Sequence, residues 1–162
     1  MKKILTLTVT FMFSVMLFSQ ESLKLEINTL IDSWHEAAAI NDQEGYFEKI
    51  DEHGIYIGTD SSEVWTRQEF YDWSTPHFQK ENGWAFKAQS RNVYLSDDGR
   101  MAWFDELLDY GKGTLRGSGV LAKKDTEWRI LHYVLSVPVP NDKFTEVMKL
   151  IERKPMLLED EK

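Results

Sequence analysis

The sequence predicts an α+β fold in which helical segments precede a meander of antiparallel strands. Before residue 84, apolar residues recur mainly at the 3.6-residue spacing of a helix, whereas from Trp84 onward they alternate at the period of a strand. The segment from Met101 to Asp142 predicts three consecutive strands, joined by turns at residues 111–113 and around residue 125. Helices followed by strands in this order are typical of a sheet that curls around its helices.

The first twenty residues have the pattern of a secretory signal peptide. Lys2 and Lys3 precede an apolar run from Ile4 to Phe18, and Ser19 and Gln20 follow it. This run is shorter than the roughly 20 residues that a membrane-spanning helix needs, although a retained N-terminal anchor is the alternative. Because the chain has no cysteine, attachment as a lipoprotein is excluded. We therefore expect a protein that is secreted or periplasmic and carries no membrane anchor after cleavage near Gln20.

Composition after the signal predicts one acidic domain. The whole chain has 19 Lys and Arg against 27 Asp and Glu, for a net charge of −8, and the signal segment contributes two lysines and no acid. Nucleic acids and anionic membranes are poor partners for such a chain, because both are bound by clustered cations. We expect a domain over residues 21–142, and a C-terminal helix with an acidic tail over residues 143–162.

Helical periodicity predicts three segments in the N-terminal half. The first covers about residues 22–40, with an apolar stripe and Asn41 as its cap. The second covers Gln43 to Ile50, with Glu44 placed to complete a capping box. The apolar stripe of the first segment consists of Leu23, Ile27, Leu30, Ile31, Trp34 and Ala38.

The third helical segment is predicted to begin at a capping box formed by Thr66 and Glu69. Pro76 lacks the N–H that a helix interior requires, so we expect this helix to stop near Ser74 and to restart with Thr75 as its cap.

Turn residues punctuate the predicted strands. A short strand from His53 to Gly58 ends at the turn over residues 59–62, and a long strand from Trp84 to Ser96 ends at the turn over residues 97–99. The last strand should end before Pro138, because proline cannot continue the ladder. Asn141 or Asp142 then begins the C-terminal helix.

Several short motifs share the pattern of a known superfamily. They are Gly58-Thr59-Asp60, Trp65, Ala102 to Glu106, Arg116 to Leu121, and Trp128 to Tyr133 with Ser136. On these residues the chain resembles a SnoaL-like member of the nuclear transport factor 2-like superfamily, over about residues 23–142. The resemblance implies a cone-shaped α+β barrel, with three helical segments packed in the concave face of a curved, mostly antiparallel sheet. It also implies a homodimer formed through the exposed sheet face, but the superfamily's activities are too varied to fix a reaction.

Alternation along the strands divides their polar side chains between two faces. We expect Trp103 and Asp105 to face inward, and the resemblance favours the side of His132 and Ser136 as the concave one. The facing of Arg116 and Ser118 depends on the turn near residue 125. A loop of three or four residues would align them with His132, whereas a two-residue turn would oppose them.

An enzyme hypothesis assigns acid–base chemistry to the predicted cavity. Asp105 would be the base and His132 an acid or hydrogen-bond donor, because an aromatic cavity is expected to raise the pKa of a carboxyl group. Tyr56 and Arg116 would bind an oxyanion or a substrate carboxylate. The alternative is structural, with Asp105 and Arg116 as a cross-strand ion pair and His132 as a core histidine.

Other chemistry is not indicated. The four histidines lie far apart without the spacing of metal ligands, so we expect no metal, and no cofactor motif is present. The glycines of residues 111–113 and 116–119 predict a turn, and a strand with a bulge or a close approach.

Three functions remain open from the sequence. The first is an exported domain that binds a small apolar or aromatic molecule in the cone, the second a lyase or isomerase using Asp105 and His132, and the third a non-catalytic homodimerisation module. The default expectation places Trp65, Phe70, Trp73, Trp84 and Phe86 in the core, and a helix over the mouth of the cone would put one or two of them in the pocket wall. The ligand-binding residues predicted are Tyr56, Trp65, Phe70, Trp73, Trp103, Arg116, Ser118 and Ser136.

Overall fold

The computed structural model describes residues 2–80 and 83–151, with side chains from residue 20 onward. These residues form four α-helices and six β-strands. The helices are α1 (Lys2–Ala39), α2 (Gln43–Glu48), α3 (Arg67–Phe78) and α4 (Phe144–Ile151). The strands are β1 (Ile50–Ile57), β2 (Val64–Thr66), β3 (Lys87–Leu95), β4 (Met101–Asp109), β5 (Thr114–Lys124) and β6 (Glu127–Ser136). The predicted tail beyond Ile151 lies outside the described residues.

All six strands form one sheet in the order β2-β1-β6-β5-β4-β3. Every neighbouring pair is antiparallel except β1 and β6, which run parallel. The first three helices pack on its concave face, where Trp34 of α1, Phe47 of α2 and Phe70 of α3 are almost fully buried. The predicted cone-shaped α+β fold is confirmed.

Helix α1 is longer than the sequence predicted, because it begins at Lys2 rather than near residue 22. The chain has no glycine or proline before Gly45, so nothing in the sequence interrupts a helix there. Asn41 ends the helix with a left-handed φ of 62°. Within the described part of the chain, no helix is long and apolar enough to cross a membrane.

Helix α2 is capped differently from the prediction. The Asp42 side chain accepts a hydrogen bond from the Gly45 N–H at 2.9 Å, whereas Glu44 accepts one from the Tyr71 hydroxyl at 2.8 Å. Glu44 therefore joins α2 to α3 instead of completing a capping box. The helix ends at Glu48 because Ile50 already belongs to β1.

Helix α3 has the predicted capping box but not the predicted break. The Glu69 carboxylate accepts a hydrogen bond from the Thr66 N–H at 2.8 Å, and the Thr66 hydroxyl accepts one from the Glu69 N–H at 3.4 Å. The helix continues through Pro76 to Phe78. Proline in this last turn removes only one hydrogen bond, and burial of Phe78 against Tyr46 offsets the loss.

One additional strand and one strand boundary differ from the prediction, and both affect the site. Strand β2 was not predicted, and it pairs Trp65 with Tyr56 of β1. Strand β3 begins at Lys87, so Trp84 and Phe86 lie in the irregular segment that precedes it. The turns at residues 97–99, 111–113 and 125–126 are confirmed, with positive φ at Gly99, Gly111, Gly113 and Asp125.

A bulge at Leu131 decides which residues of β6 face the helices. Val120 pairs with His132 and Leu121 pairs with Ile130, so Leu131 has no partner on β5. Ile130 faces inward before the bulge, and Tyr133 and Leu135 face inward after it. The expectation that His132 and Ser136 share the concave face with Ile130 is therefore wrong.

The expected inward orientation of Trp103 and Asp105 is also wrong. In β4 the buried side chains are Ala102, Phe104, Glu106 and Leu108, whereas Trp103 is 46% exposed. The turn at residues 125–126 has two residues, and by itself it would place Arg116 and His132 on opposite faces of the sheet. The bulge adds one residue to β6, so both side chains face the same side. As a result, Arg116 pairs with Ser136 and lies on the same outer face.

Two glycines of β5 face inward, as the close-approach interpretation predicted. A Cβ on Gly117 would lie 2.8 Å from Glu106 Oε1, and one on Gly119 would lie 2.8 Å from the His132 carbonyl oxygen. Both distances are far inside van der Waals contact, so side chains at these positions would displace their neighbours.

Candidate functional site

An aromatic cavity of about 420 Å³ opens between the β1–β2 hairpin, α3, the segment before β3 and the β4–β5 turn. Its walls combine residues from each of these segments, and Leu115 and Leu135 of β5 and β6 also line it. The aromatic lining consists of Tyr56, Trp65, Phe70, Trp73, Trp84, Phe86 and Tyr110.

Several of the ring planes in this cavity are inclined to one another by 3–32°. Phe70 stacks on Tyr56 with ring centroids 3.9 Å apart and planes inclined by 18°, and it lies at 3° to Trp84. Trp73 is inclined by 32° to Trp65 and by 25° to Trp84. Because flat molecules prefer offset stacking on such faces, this cavity suits a planar ligand.

Two side chains of opposite charge stand at the cavity's rim. Glu63 is half-buried in the β1–β2 loop, where its Oε2 accepts a hydrogen bond from the Asp60 N–H at 3.1 Å. Lys112 is exposed at the tip of the β4–β5 turn, with its Nζ 5.9 Å from the ring centroid of Tyr110.

The phenol at the base of the cavity stays protonated. Burial raises the pKa of Tyr56 far above its ordinary value, and the negative charge of Glu63 raises it further. The phenol of Tyr46, which is buried as well, lies beside it. Tyr56 therefore acts as a neutral hydrogen-bonding group rather than as a base.

A second polar centre is buried between α1 and the sheet around Glu106. Its Oε1 lies 2.8 Å from His35 Nε2 and accepts a hydrogen bond from the Tyr133 hydroxyl at 3.2 Å. Its Oε2 accepts a hydrogen bond from Arg91 Nε at 2.9 Å. Arg91 Nη2 is equally close to this oxygen, but without the alignment of a hydrogen bond.

The same arginine connects this centre to the surface of α1. Arg91 Nη1 donates to Asp32 Oδ1 at 2.7 Å and to Asn28 Oδ1 at 3.3 Å. Burial alone would raise the pKa of Glu106, but the interactions with His35 and Arg91 outweigh it and lower this pKa. The carboxylate is therefore ionised and compensated.

The Glu106 centre supports the cavity wall rather than lining the cavity. The ring of His35 packs against the ring of Phe86, with centroids 5.9 Å apart, and Phe86 lines the cavity. Tyr133, which donates to Glu106, packs against Tyr56 with centroids 5.4 Å apart. Both contacts fix aromatic walls from behind.

The structure separates the residues that the sequence predicted as one site. Tyr56, Trp65, Phe70 and Trp73 line the cavity, and Trp84 and Phe86 join them. Six predicted residues lie on the outer face of the sheet: Trp103, Asp105, Arg116, Ser118, His132 and Ser136.

The outer-face residues do not form the expected pairs. Asp105 accepts a hydrogen bond from Asn92 and pairs in register with Ser118, whereas Arg116 lies opposite Leu107. Among the side chains described from residue 20 onward, no ion pair joins Asp105 to Arg116 and no group of acidic or histidine side chains is placed to hold a metal ion.

Sequence patterns missed Glu63, Lys112 and the Glu106 centre. Glu106 follows Asp105 directly, so the assignment of faces in β4 decided which carboxylate was taken as functional. The close-approach glycine at residue 117 was the available signal, because its missing side chain makes room for Glu106 and Tyr133.

Comparison with known proteins agrees with this architecture. Residues 27–140 match the family model of the SnoaL-like domain. A search of the curated proteins finds no match.

Solved structures share the fold at low sequence identity. An NTF2-like protein of unknown function from Pseudomonas putida is 16% identical with a TM-score of 0.64, over 76% of this chain and 92% of that one. A Mycobacterium tuberculosis protein of unknown function is 17% identical with a TM-score of 0.65, over 78% of each chain. The association domain of C. elegans CaMKII is 17% identical with a TM-score of 0.62, over 74% of this chain and 98% of that one.

Replacing Glu106 should destabilise the fold and change its response to acid. We expect Glu106→Gln to lower the free energy of unfolding at pH 7 by about 3–5 kcal/mol, because the buried Arg91 loses its buried counter-charge and keeps only the exposed Asp32. Since the folded-state pKa of Glu106 is lowered, its contribution is complete above about pH 4.3 and is lost as the pH falls through that lowered pKa. The difference between wild type and variant should therefore shrink below about pH 4.

Urea unfolding followed by circular dichroism measures both effects. Asp105→Asn is the matched control, because it changes the adjacent carboxylate on the outer face and should cost no more than about 0.5 kcal/mol. Equal stability of the two variants would contradict the role given to Glu106.

Proposed function

The chain belongs to the SnoaL-like domain family, and on that premise we propose that it binds a small apolar or aromatic molecule in its aromatic cavity. The observation that carries the proposal is the set of near-parallel rings around an open volume of about 420 Å³. This volume falls within the range of small-molecule sites, which are mostly apolar with a few placed polar groups. Tyr56 at the base and Glu63 and Lys112 at the rim supply such groups here.

The enzyme hypothesis receives less support than binding. Acid–base catalysis by Asp105 and His132 requires both groups to reach a ligand in the cavity, and both lie on the opposite side of the sheet. His35 and Glu106 are inside, but they bond to each other, and Glu106 also binds Arg91 and Tyr133. Their interactions favour a structural role.

Removing a cavity tryptophan should weaken ligand binding without unfolding the domain. A thermal-shift screen of residues 21–162 against small aromatic compounds should identify ligands that raise the unfolding temperature. We expect Trp73→Ala to weaken binding of a hit at least tenfold, because Trp73 is 41% exposed and its ring forms part of the wall.

Trp103→Ala is the matched control for this experiment. Trp103 is 46% exposed, but it lies on the outer face of the sheet, so its loss should leave affinity unchanged. Equal loss of affinity in both variants, or no hit for the wild type, would argue against a ligand in this cavity.

A second function, self-association through the outer face of the sheet, is favoured by an exposed aromatic pair. Tyr94 of β3 and Trp103 of β4 stack with ring centroids 5.9 Å apart and remain 44% and 46% exposed, beside the exposed Met101. Apolar surface of this kind is typical of interfaces between subunits. The similarity to a CaMKII association domain supports the same proposal.

Charge on the outer face should disrupt such a homodimer. We propose a dimer at micromolar concentration and expect Trp103→Glu to shift it to the monomer, because the interface would bury an unpaired carboxylate. Light scattering after gel filtration measures the mass. The control is Trp73→Glu, which places the same charge at the cavity and should leave a dimer; a wild-type monomer would contradict this second function.

We also propose that the protein is exported and loses residues 1–20. Support comes from the two lysines and the apolar run that open the sequence. The N-terminal residue of protein collected outside the cytoplasm tests this: it should lie next to Gln20, and an intact Met1 would contradict cleavage.

A further inference from the structure

The rim of the cavity holds one carboxylate in a defined position, that of Glu63. Its Oε2 accepts the Asp60 N–H, and the loop around it is closed by hydrogen bonds from the Gly58 N–H to the Glu63 carbonyl at 2.9 Å and from the Glu63 N–H to the Asp60 carbonyl at 3.0 Å. Ser62 N–H and hydroxyl both donate to the Asp60 side chain. This network fixes the position from which Glu63 extends.

The residue beside this carboxylate leaves room for it. A Cβ on Gly58 would collide with Glu63 Oε2, so only glycine permits the observed position. The charge also reaches the base of the cavity, since Glu63 contributes to the raised pKa of Tyr56. Among the side chains described from residue 20 onward, no Lys, Arg or His nitrogen lies within 4 Å of the Glu63 carboxylate.

The aromatic walls add a second attraction for positive charge. The faces of Trp, Tyr and Phe rings carry negative potential, and they attract cations within about 6 Å of a ring centroid. Trp65, Trp73 and Trp84 all line this cavity. A net charge of −8 further favours the approach of cationic ligands over anionic ones.

Lys112 is the opposing feature at the rim. It is exposed between Gly111 and Gly113, both of which have positive φ, and its ammonium group already lies over the Tyr110 ring. An exposed lysine is well hydrated and screened by salt, so it acts more weakly on the cavity than a half-buried carboxylate.

Resting on the proposed binding function, we propose that the cavity selects compact molecules that carry a positive charge, a quaternary or protonated amine, with the cation against the tryptophan faces and beside Glu63. The carboxylate and the rings then act together, because the rings displace water from the ammonium group and the carboxylate compensates its charge. The adjoining near-parallel rings accommodate an aromatic group on the same molecule.

Three probes of similar size separate the contribution of charge from that of shape. They are phenyltrimethylammonium, the neutral 2-phenylpropan-2-ol and the anion benzoate, each titrated into the folded protein with tryptophan fluorescence or calorimetry as the readout. We expect phenyltrimethylammonium to bind at least about tenfold more tightly than either of the others. Its affinity should fall with added salt, whereas that of the neutral probe should not.

Two charge-neutralising variants at the rim locate the effect. Glu63→Gln keeps an oxygen that can accept the Asp60 N–H, and it should reduce the preference for phenyltrimethylammonium over the neutral probe by about five- to tenfold. Lys112→Gln removes the opposing charge and should increase that preference. The matched control is Asp105→Asn, which removes a carboxylate on the outer face of the sheet and should leave the preference unchanged.

The outcomes distinguish this inference from the proposed function. Equal binding of the charged and neutral probes would overturn cation selection while supporting an aromatic site. Preferred binding of benzoate that is lost in Lys112→Gln would make the cavity an anion site and also overturn it. If none of the probes binds although screening hits depend on Trp73, only the cation inference fails; if no compound binds at all, both fail.

Discussion

The ionised carboxylate of Glu106 is the constraint on which the arrangement of helices and sheet depends. Burying a charge costs several kcal/mol unless it is compensated, and here compensation requires His35 from α1, Arg91 from β3 and Tyr133 from β6 together. Because His35 belongs to α1 while Arg91 and Tyr133 belong to the sheet, the position of α1 is fixed by two sets of contacts: His35 with Glu106, and Asn28 and Asp32 with Arg91. Gly117 completes this constraint by leaving the space that the carboxylate and phenol occupy.

The cavity depends on that centre indirectly. Phe86 packs against His35, and Tyr56 packs against Tyr133. Two partners of Glu106 therefore fix the positions of two aromatic residues in the cavity wall. The rest of the lining comes from α3 and the β1–β2 hairpin, whose mutual position is set by the stacking of Phe70 on Tyr56. The Glu106 centre therefore supports the cavity from behind, and Tyr56 and Phe70, which line the cavity, also belong to the buried core.

Sequence patterns predicted the fold and four of the seven aromatic residues that line the cavity, and the reasons for the remainder are physical. Helical spacing, the Thr66 capping box and the turn glycines depend on local geometry, so they were correctly predicted. Tyr56, Trp65, Phe70 and Trp73 line the cavity, while their predicted contact with a ligand stays a prediction. The polar residues were misplaced because the orientation of a strand depends on pairing with its neighbours. Glu63 and Lys112 lie in loops, where periodicity carries no information.

The unpaired Leu131 changes which residues of β6 face the interior. On either side of it the strand carries the same two-residue period, but the odd positions face one way before the bulge and the opposite way after it. A relative with a strand of the same length but no bulge would present the residues equivalent to His132, Val134 and Ser136 to its interior. Correspondence between functional positions in this family therefore has to be established separately for each half of the strand, since a continuous alignment would equate inner residues with outer ones.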